Sequence, residues 1–465
     1  MQLSAPLRLC AMISAFMASS LCPAQDLIPK AAPQSRPVMI YNATIHPVSG
    51  PPIADGFVTF DQGKINGLGT IGAEMDIEKN KAAGWLMIDA KGKHIYPGLI
   101  APYSQIGLTE IAAVRATLDM GEVGQATPEV HAAVAINPDS TLIPVARTNG
   151  IMLAAVFPLT SATGQLAYFG GPGGLVPGRA SIVRLDGWTT EQMAAQMDAG
   201  LVINWPNMRP ITAWWMDKSK EDQQGESNAA LAVIERLFTD AAAYGAAKAH
   251  APGGPTDLRL EAMRSVFPNT LVVQRPVFVL ANDYDQITSA IAFGDKHKLK
   301  IIIVGGMDAP LAAALLKARD IPVIITGVYR FPKRADGDHD EPFAMPAKLK
   351  AAGVRFCLAS GEEAANERNL PYAAATAVAH GLDRDEALRA ITLSAATILG
   401  VSDRYGSIEL DKSATLIIAD GDILEITTNI DHAWIDGRKI DLSNKQTELE
   451  KKYREKYRQL VEPAP

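Results

Sequence analysis

The chain has 465 residues, of which 48% are hydrophobic and 20% are charged, and its formal net charge is −7. This composition is typical of a globular protein that is long enough for one large core and a second, smaller unit. The acidic balance excludes the basic surface that nucleic-acid binding requires, so we expect no nucleic-acid partner.

The first 24 residues are typical of a secretory signal peptide. Arg8 is their only charged residue, residues 9–21 are apolar, and the small residue Ala24 ends the segment. The apolar run is too short to span a bilayer, and Leu21 is bulky where a lipid-modified Cys22 would need a small neighbour. We therefore predict a signal peptide over 1–24, a periplasmic or secreted location, and no membrane contact after cleavage. A lipid anchor is the alternative.

The rest of the chain divides by its pattern of apolar residues. Residues 25–36 are rich in proline and alanine and indicate a linker. Short strands follow over residues 37–95 and return over residues 401–440, which predicts one small β-structure made from both ends of the chain. The charged tail, residues 441–465, is predicted to be a solvated helix.

Residues 96–400 alternate between apolar strands and helical patterns, which is typical of parallel β/α units. The closed eight-stranded barrel is the simplest architecture for them, and a doubly wound open sheet is the alternative. Helices are predicted at residues 190–199, 228–248 and 383–400, and an exposed charged loop at residues 218–227.

Two further segments have simple interpretations. The glycine-rich residues 164–174 lack the Lys-Ser/Thr ending of a phosphate-binding loop and are predicted to be a loop at the barrel mouth. Cys357 is the cysteine that remains after signal cleavage, and its apolar surroundings predict a buried core residue.

Several motifs resemble those of the amidohydrolase superfamily, in particular the imidazolonepropionase-related type. Residues 95–105 are similar to the first barrel strand of that family, P-G-L-I-D-x-H-x-H. Residues 406–416 are similar to its closing motif G-S-I-x-x-G-K-x-A-D-L, with departures at Asp411 and Thr415, and residues 432–438 resemble its last strand and turn. The resemblance implies an α/β fold, a TIM-type (β/α)8 barrel with a small β-sandwich formed by the N- and C-terminal segments.

The residues at the metal-ligand positions of that family are different in this chain. Members take ligands from the H-x-H pair, from histidines on strands five and six, and from an aspartate after strand eight. The corresponding residues are Tyr103 and Gln105, then Leu280, Gly305 and Gly361, and none of them is a zinc ligand. No lysine or glutamate occupies the strand-four position, near residues 204–205.

The other polar candidates for a site follow the predicted barrel strands. They are Asn282, Asp283, Asp308, Glu362 and Glu363. Consecutive residues of a continuing strand point in opposite directions, so the two glutamates are interpreted as charges at a helix start. No two histidines have metal-ligand spacing in the sequence, and residues 338–341 are predicted to be a solvated loop.

The sequence predicts a degenerate amidohydrolase, a pseudoenzyme with no identified catalytic residue and no bound metal. Its inherited chemistry would be hydrolysis of C–N bonds in cyclic amides or dipeptide-like substrates. We expect a non-catalytic subunit that binds a small amide-like ligand, an amidohydrolase partner or a second copy of itself. The alternative is an active hydrolase that uses metal-independent groups, or zinc if unrecognised ligands exist.

Overall fold

A computed structural model describes residues 28–72, 77–159, 174–212, 216–268, 273–361 and 363–461. The predicted signal peptide and most of the glycine-rich segment lie outside these ranges. No helix in the described ranges is both long and apolar enough to cross a membrane.

One of two eight-stranded sheets contains strands that neighbour each other in sequence order. They are β6 (Leu99–Ser104), β7 (Ile151–Val156), β8 (Gly178–Arg184), β9 (Ala194–Asn204), β10 (Val277–Ala281), β11 (Ile301–Gly305), β12 (Val323–Thr326) and β13 (Phe356–Ala359). Their side chains are almost all buried, as continuous apolar runs predict for strands covered on both faces. The last strand, β13, lies beside β6, so the sheet nearly closes into a barrel.

One barrel strand runs against the others. β8 pairs antiparallel with both β7 and β9, whereas the remaining neighbours are parallel. A parallel crossover needs a dozen or more residues, and only residues 185–193 connect β8 to β9. The expectation of eight parallel strands was therefore wrong at this strand.

The helices are α1 (Ile77–Ala82), α2 (Leu142–Arg147), α3 (Thr190–Met193), α4 (Lys220–His250), α5 (Leu258–Met263), α6 (Tyr284–His297), α7 (Ala313–Ala318), α8 (Glu341–Ala352), α9 (Leu370–Ala379), α10 (Arg384–Ala390), α11 (Leu393–Leu399) and α12 (Lys445–Val461). Most of them cover the outside of the barrel or join its strands.

Three helix predictions were wrong in extent. The helix predicted over 190–199 stops at Met193, because the following residues pair with β8 and β10. The loop predicted over 218–227 is mostly the first turns of α4, which Ser219 caps by accepting a hydrogen bond from the Asp222 amide. The single helix predicted over 383–400 breaks at Thr392 into α10 and α11.

The second sheet joins the two ends of the chain. It contains β1 (Val38–Ile45), β2 (Ile53–Asp61), β3 (Lys64–Thr70), β4 (Leu86–Asp89), β5 (His94–Pro97), β14 (Leu416–Ala419), β15 (Ile430–Ile435) and β16 (Arg438–Ile440). The N- and C-terminal strands meet where β5 pairs antiparallel with β14. A barrel sheet and a separate terminal sheet confirm the predicted fold class.

The segment predicted as a linker is hydrogen-bonded to the rest of the fold at Lys30 and Ala31. The Lys30 side chain is buried, and its Nζ donates to the Pro138 carbonyl oxygen at 2.7 Å. The Ala31 amide donates to the carboxylate of the buried residue Asp186. A buried lysine is costly unless it is hydrogen-bonded, so this part of the predicted linker is a fixed part of the structure.

Candidate functional site

The candidate site lies at the barrel mouth, the end at which β6 and β9 to β13 finish. Ligands of such barrels bind at this end, where the loops after the strands converge. Nine of the ten candidate residues are described, and most of them lie on a barrel strand or directly after one. Glu362 lies outside the described residues. Glu363 is exposed and directly precedes a 3-10 helix, Ala364–Asn369, without capping it through its side chain.

The two residues that the resemblance assigns to the H-x-H pair are Tyr103, which belongs to an aromatic stack, and Gln105, which is an amide. The Tyr103 ring packs against Phe157 with centroids 4.9 Å apart, and Phe157 meets Phe278 edge-on at 5.0 Å. Phe157 follows β7 and Phe278 lies on β10, three strands away, so their contact crosses the barrel interior. The interior next to Tyr103 is therefore filled with fully buried rings.

The phenol of Tyr103 and the amide of Gln105 are the polar groups next to this aromatic stack. Burial raises the pKa of Tyr103 to about 12, and the Gln105 side chain partly opposes that change. Gln105 Nε2 is buried, and apart from this contact with Tyr103 it has no hydrogen-bond partner among the described residues. The phenol is therefore neutral at physiological pH, and the neighbouring amide retains a donor for a water molecule or a ligand.

At Gly305, which the resemblance assigns to the strand-six position, the Asn282 side chain occupies the space that a Cβ would need. Gly305 ends β11 with a φ of +102°, and a Cβ built there would lie 2.3 Å from Asn282 Oδ1. Asn282 Oδ1 is itself buried without a hydrogen-bond partner in the described chain. The asparagine amide therefore takes the volume beside the position where the resemblance implies a histidine.

The position after strand eight is closed by backbone. Gly361 has a φ of +69°, and a Cβ there would lie 2.3 Å from the Thr326 carbonyl oxygen and 2.4 Å from Gly327 Cα. Backbone atoms cannot move aside as a flexible side chain can. An aspartate at residue 361 therefore requires the ends of β12 and β13 to separate.

The residues assigned to the remaining ligand positions provide no histidine, lysine or carboxylate to bind a metal. Leu280 is a partly buried hydrocarbon side chain packed against the barrel core. At the end of β9, Asn204 Nδ2 donates to the Gly174 carbonyl oxygen, whereas Asn204 Oδ1 is buried without a partner in the described residues. The neighbouring Trp205 ring packs on Phe293 of α6.

A charged cluster at the mouth joins two of the predicted polar residues. Lys333 contacts both Asp283 and Asp308, with 2.7 Å between its Nζ and Asp308 Oδ2. The same carboxylate oxygen accepts from Arg334 Nη2 and from the Tyr284 amide, each at 3.0 Å. Asp308 Oδ1 is buried and has no partner within the described ranges.

Lys333 is the residue of this cluster that sequence reasoning missed. Burial and then the Arg334 guanidinium lower the pKa of Lys333 to about 8. The Glu341 carboxylate opposes this change, and with a pKa of about 8 the lysine is an ammonium at neutral pH and loses its proton just above it. Its loop follows β12, and no sequence spacing connects it to Asp283 or Asp308.

A second missed group closes the barrel between its first and last strands. Glu367 is 1% exposed, and its carboxylate accepts from Ser104 Oγ at 2.5 Å and from Ser360 Oγ at 2.8 Å. Ser104 ends β6, and Ser360 directly follows β13. Glu367 therefore links the two strands at which the barrel sheet closes.

These residues do not fit the zinc ion that the resemblance implies. Zinc requires three or more nitrogen, oxygen or sulfur ligands from the protein, whereas the ligand positions hold a stacked phenol, an amide, a leucine and two glycines. No group of three His, Cys, Asp or Glu side chains in the described part of the chain could hold a metal ion.

The structure does bring two histidines together at a distance from the mouth. His46 Nε2 and His94 Nδ1 lie 2.9 Å apart where β1 meets β5, and the His46 ring stacks on Tyr96. Burial and then His94 lower the pKa of His46 to about 4. The sequence spacing gave no indication of this contact, because β-sheet pairing joins residues that are far apart in the chain.

Comparison with family models gives a match over part of the chain. The model of the "Amidohydrolase family" matches residues 338–440, a segment that includes β13 and Gly361. No match was found among curated proteins.

Three solved structures share the fold. An amidohydrolase from Thermotoga maritima MSB8 superposes with a TM-score of 0.73 and 23% identity, covering 87% of this chain and 99% of that one. A prolidase complexed with N-methylphosphonate-L-proline gives 0.50 and 13%, with coverage of 87% and 99%. Molinate hydrolase gives 0.50 and 15%, with coverage of 88% and 95%. The chain therefore has the fold of a solved amidohydrolase and carries an amidohydrolase-family segment at residues 338–440.

Proposed function

We propose that this is a secreted pseudoenzyme related to amidohydrolases, whose barrel binds a small amide-like ligand or a partner subunit without metal-dependent hydrolysis. The relation to imidazolonepropionases rests on the sequence motifs, and secretion rests on the pattern of residues 1–24. The observation that carries the proposal is the stack of Tyr103, Phe157 and Phe278 at the position of the H-x-H pair.

The stack argues against hydrolysis of the inherited kind. A metal-bound hydroxide requires an ion with an open coordination position inside the barrel. Tyr103 instead belongs to a packed aromatic core, and the spaces beside Gly305 and Gly361 are taken by an amide and by backbone. Several independent replacements at one place are expected where selection for the metal has ended.

Ligand binding is supported by polar atoms that lack partners. Asn204 Oδ1, Asn282 Oδ1 and Asp308 Oδ1 are buried at the ends of three barrel strands without hydrogen-bond partners in the described residues. Gln105 Nε2, at the end of a fourth strand, has two N–H groups and contacts only Tyr103 among these residues. Such groups cost free energy unless water or a ligand satisfies them. The oxygens can accept hydrogen bonds from N–H groups of a ligand, and the Gln105 amide can donate one to a C=O group. This combination suits an amide.

The experiment is a thermal-shift screen of the mature protein against cyclic amides, imides and dipeptides, with product analysis of every compound that shifts the melting temperature. The proposal expects at least one compound to bind without being hydrolysed, and expects the Asp308→Asn variant to bind it less tightly. Glu363→Gln is the control, because Glu363 is exposed and makes no side-chain cap. Hydrolysis that a chelator abolishes would contradict the proposal.

One observation favours the second candidate, a metal-independent hydrolase. Lys333, with its pKa lowered to about 8, lies between two carboxylates and could serve as a general acid near neutral pH. This function expects hydrolysis that a chelator does not affect and that Lys333→Met abolishes. Lys348→Met, at an exposed lysine of α8, is the matched control. Absence of chelator-resistant turnover on the same panel would contradict this candidate.

A further inference from the structure

Among the described residues, the hydrogen bonds that attach the C-terminal helix α12 to the rest of the fold lie at its start. The Asn444 side chain is buried and accepts hydrogen bonds from the Gln446 and Thr447 amides, while its Nδ2 donates to Thr148 Oγ1 at 3.3 Å. Thr148 ends α2, just before β7 begins, so the attachment lies at the end of the barrel opposite the mouth. All residues from 448 to 460 are exposed.

A stripe of large side chains runs along this exposed helix. Leu449, Tyr453, Tyr457 and Leu460 are 40%, 49%, 61% and 70% exposed. At 3.6 residues per turn their positions fall within about 80° of the helix circumference. An isolated helix of this length is marginal in water, and leucine and tyrosine on one face indicate a surface that is covered when the protein functions.

The charges of α12 differ from those of the whole chain. The helix contains six Lys or Arg residues and three Glu residues, a net charge of +3, whereas the chain carries −7. The three glutamates form ion pairs within the helix, with Lys451, Arg454 and Arg458. The other three cations have no carboxylate contact in the described part of the chain.

Those three cations lie beside the apolar stripe. Lys445, Lys452 and Lys456 follow one border of it, and Lys456 Nζ lies 5.8 Å and 5.7 Å from the ring centroids of Tyr453 and Tyr457. Lysines at the border of a Leu and Tyr face can extend their ammonium groups to lipid phosphates while the apolar groups enter the headgroup region.

We infer that α12 is a docking surface for an anionic lipid bilayer. Charge complementarity selects this occupant: a face with three unpaired lysines attracts a negative surface, whereas pairing with α12 of a second copy would bring two helices of charge +3 together. The sequence-based expectation of no membrane contact considered only the length needed to span a bilayer. Binding through α12 would be peripheral, and it is independent of any function at the barrel mouth.

The test is co-sedimentation of the mature chain with phosphatidylcholine vesicles that contain or lack phosphatidylglycerol. The wild-type chain should bind only the anionic vesicles, and binding should fall as salt is raised. The charge-reversal pair Lys452→Glu and Lys456→Glu should weaken binding at least tenfold, and Leu449→Ser with Leu460→Ser should also weaken it. Lys81→Glu with Lys348→Glu, exposed lysines outside α12, is the control of equal net charge.

Three results would overturn the inference. They are no binding of the wild-type chain to anionic vesicles, equal binding to phosphatidylcholine alone, or equal loss in the control pair and the α12 pair. Self-association that Leu449→Ser with Leu460→Ser abolishes, without vesicle binding, would also overturn it and identify a second copy as the occupant. Unchanged melting temperatures should show that the variants remain folded, since the altered side chains are exposed.

Discussion

At the scale of single residues, the family resemblance assigns side chains to the ligand positions, and the structure shows what those side chains contact. Tyr103 joins a ring stack that starts from β7 and β10, and Gly361 lies against the backbone of Thr326 and Gly327. The assignment of these residues to ligand positions rests on the strand motif and stays a prediction. The packing could not be predicted, because its partners are distant in the sequence.

The first prediction concerns partial restoration of the H-x-H pair. The double variant Tyr103→His and Gln105→His should not bind zinc tightly, since Leu280, Gly305 and Gly361 still provide no donors. The measurement is isothermal titration with zinc, with the wild-type chain as the reference. Submicromolar one-to-one binding in the double variant alone would contradict the expectation and reveal ligands that remain unidentified.

The second prediction concerns Gly361. It separates the cost of Cβ overlap with neighbouring backbone from the cost of a positive φ. Gly361→Asp should lower the free energy of unfolding by roughly 2–4 kcal/mol, because its Cβ would overlap backbone atoms. Gly400→Asp is the matched control, since Gly400 has a φ of +75° and no atom within 4 Å of its Cβ position. Chemical denaturation of both variants provides the comparison. If both variants lost the same free energy of unfolding, the Cβ overlap at residue 361 would add nothing to the cost of a positive φ.

At the scale of elements, the strongly apolar strands were predictable and their directions were not. Residues 151–156 and 301–305 are continuous buried runs, as parallel barrel strands require. The direction of β8 depends on its short connection to β9, residues 185–193. Residues 194–199, the start of β9, were predicted to be part of a helix. Pairing of residues 194–204 with two neighbouring strands overrides that local preference.

The third prediction concerns the contact between β1 and β5. Unfolded His46 has a pKa near 6.5, and in the folded chain the value is lowered to about 4. The unfolded state therefore takes up the proton first, and stability should fall as pH decreases from about 6.5 towards 4. Asp385 and Asp422 favour the charged form and reduce the effect.

Because His46 is partly exposed, solvent screening should limit this contribution to roughly 1 kcal/mol. Denaturation midpoints of the wild type and His46→Gln, measured at several pH values, provide the test. The variant should lose part of the acid dependence between pH 4 and 6.5. Parallel stability curves for the two proteins would contradict the expected role of His46.

At the scale of the whole molecule, buried charges connect the terminal sheet to the barrel. Asp186 follows β8 and accepts from Arg147 Nη1 at 3.0 Å and from Arg438 Nη1 of β16 at 2.7 Å. Asp186 and Arg147 are almost fully buried. The sequence predicted both sheets from their own patterns, but the residues that hold them together come from three distant segments and carried no common signal.

The fourth prediction tests this connection. Asp186→Asn should lower the free energy of unfolding by about 3–5 kcal/mol, because it leaves the buried Arg147 charge without its carboxylate. Thermal and urea unfolding of the variant would measure the loss. Asp431→Asn, which removes the exposed partner of Lys93, is the control and should change stability by less than about 1 kcal/mol. Similar small effects in both variants would show that the Asp186 contacts do not stabilise the assembly of the two sheets.

The most direct test of a barrel without its metal centre is the transition-metal content per chain. It should be measured by elemental mass spectrometry on mature protein purified without chelator and without added metal. The replaced ligand positions and the aromatic stack predict far less than one zinc, or other transition-metal, ion per chain. A stoichiometric ion that survives dialysis would contradict this view and require ligands other than those at the family positions.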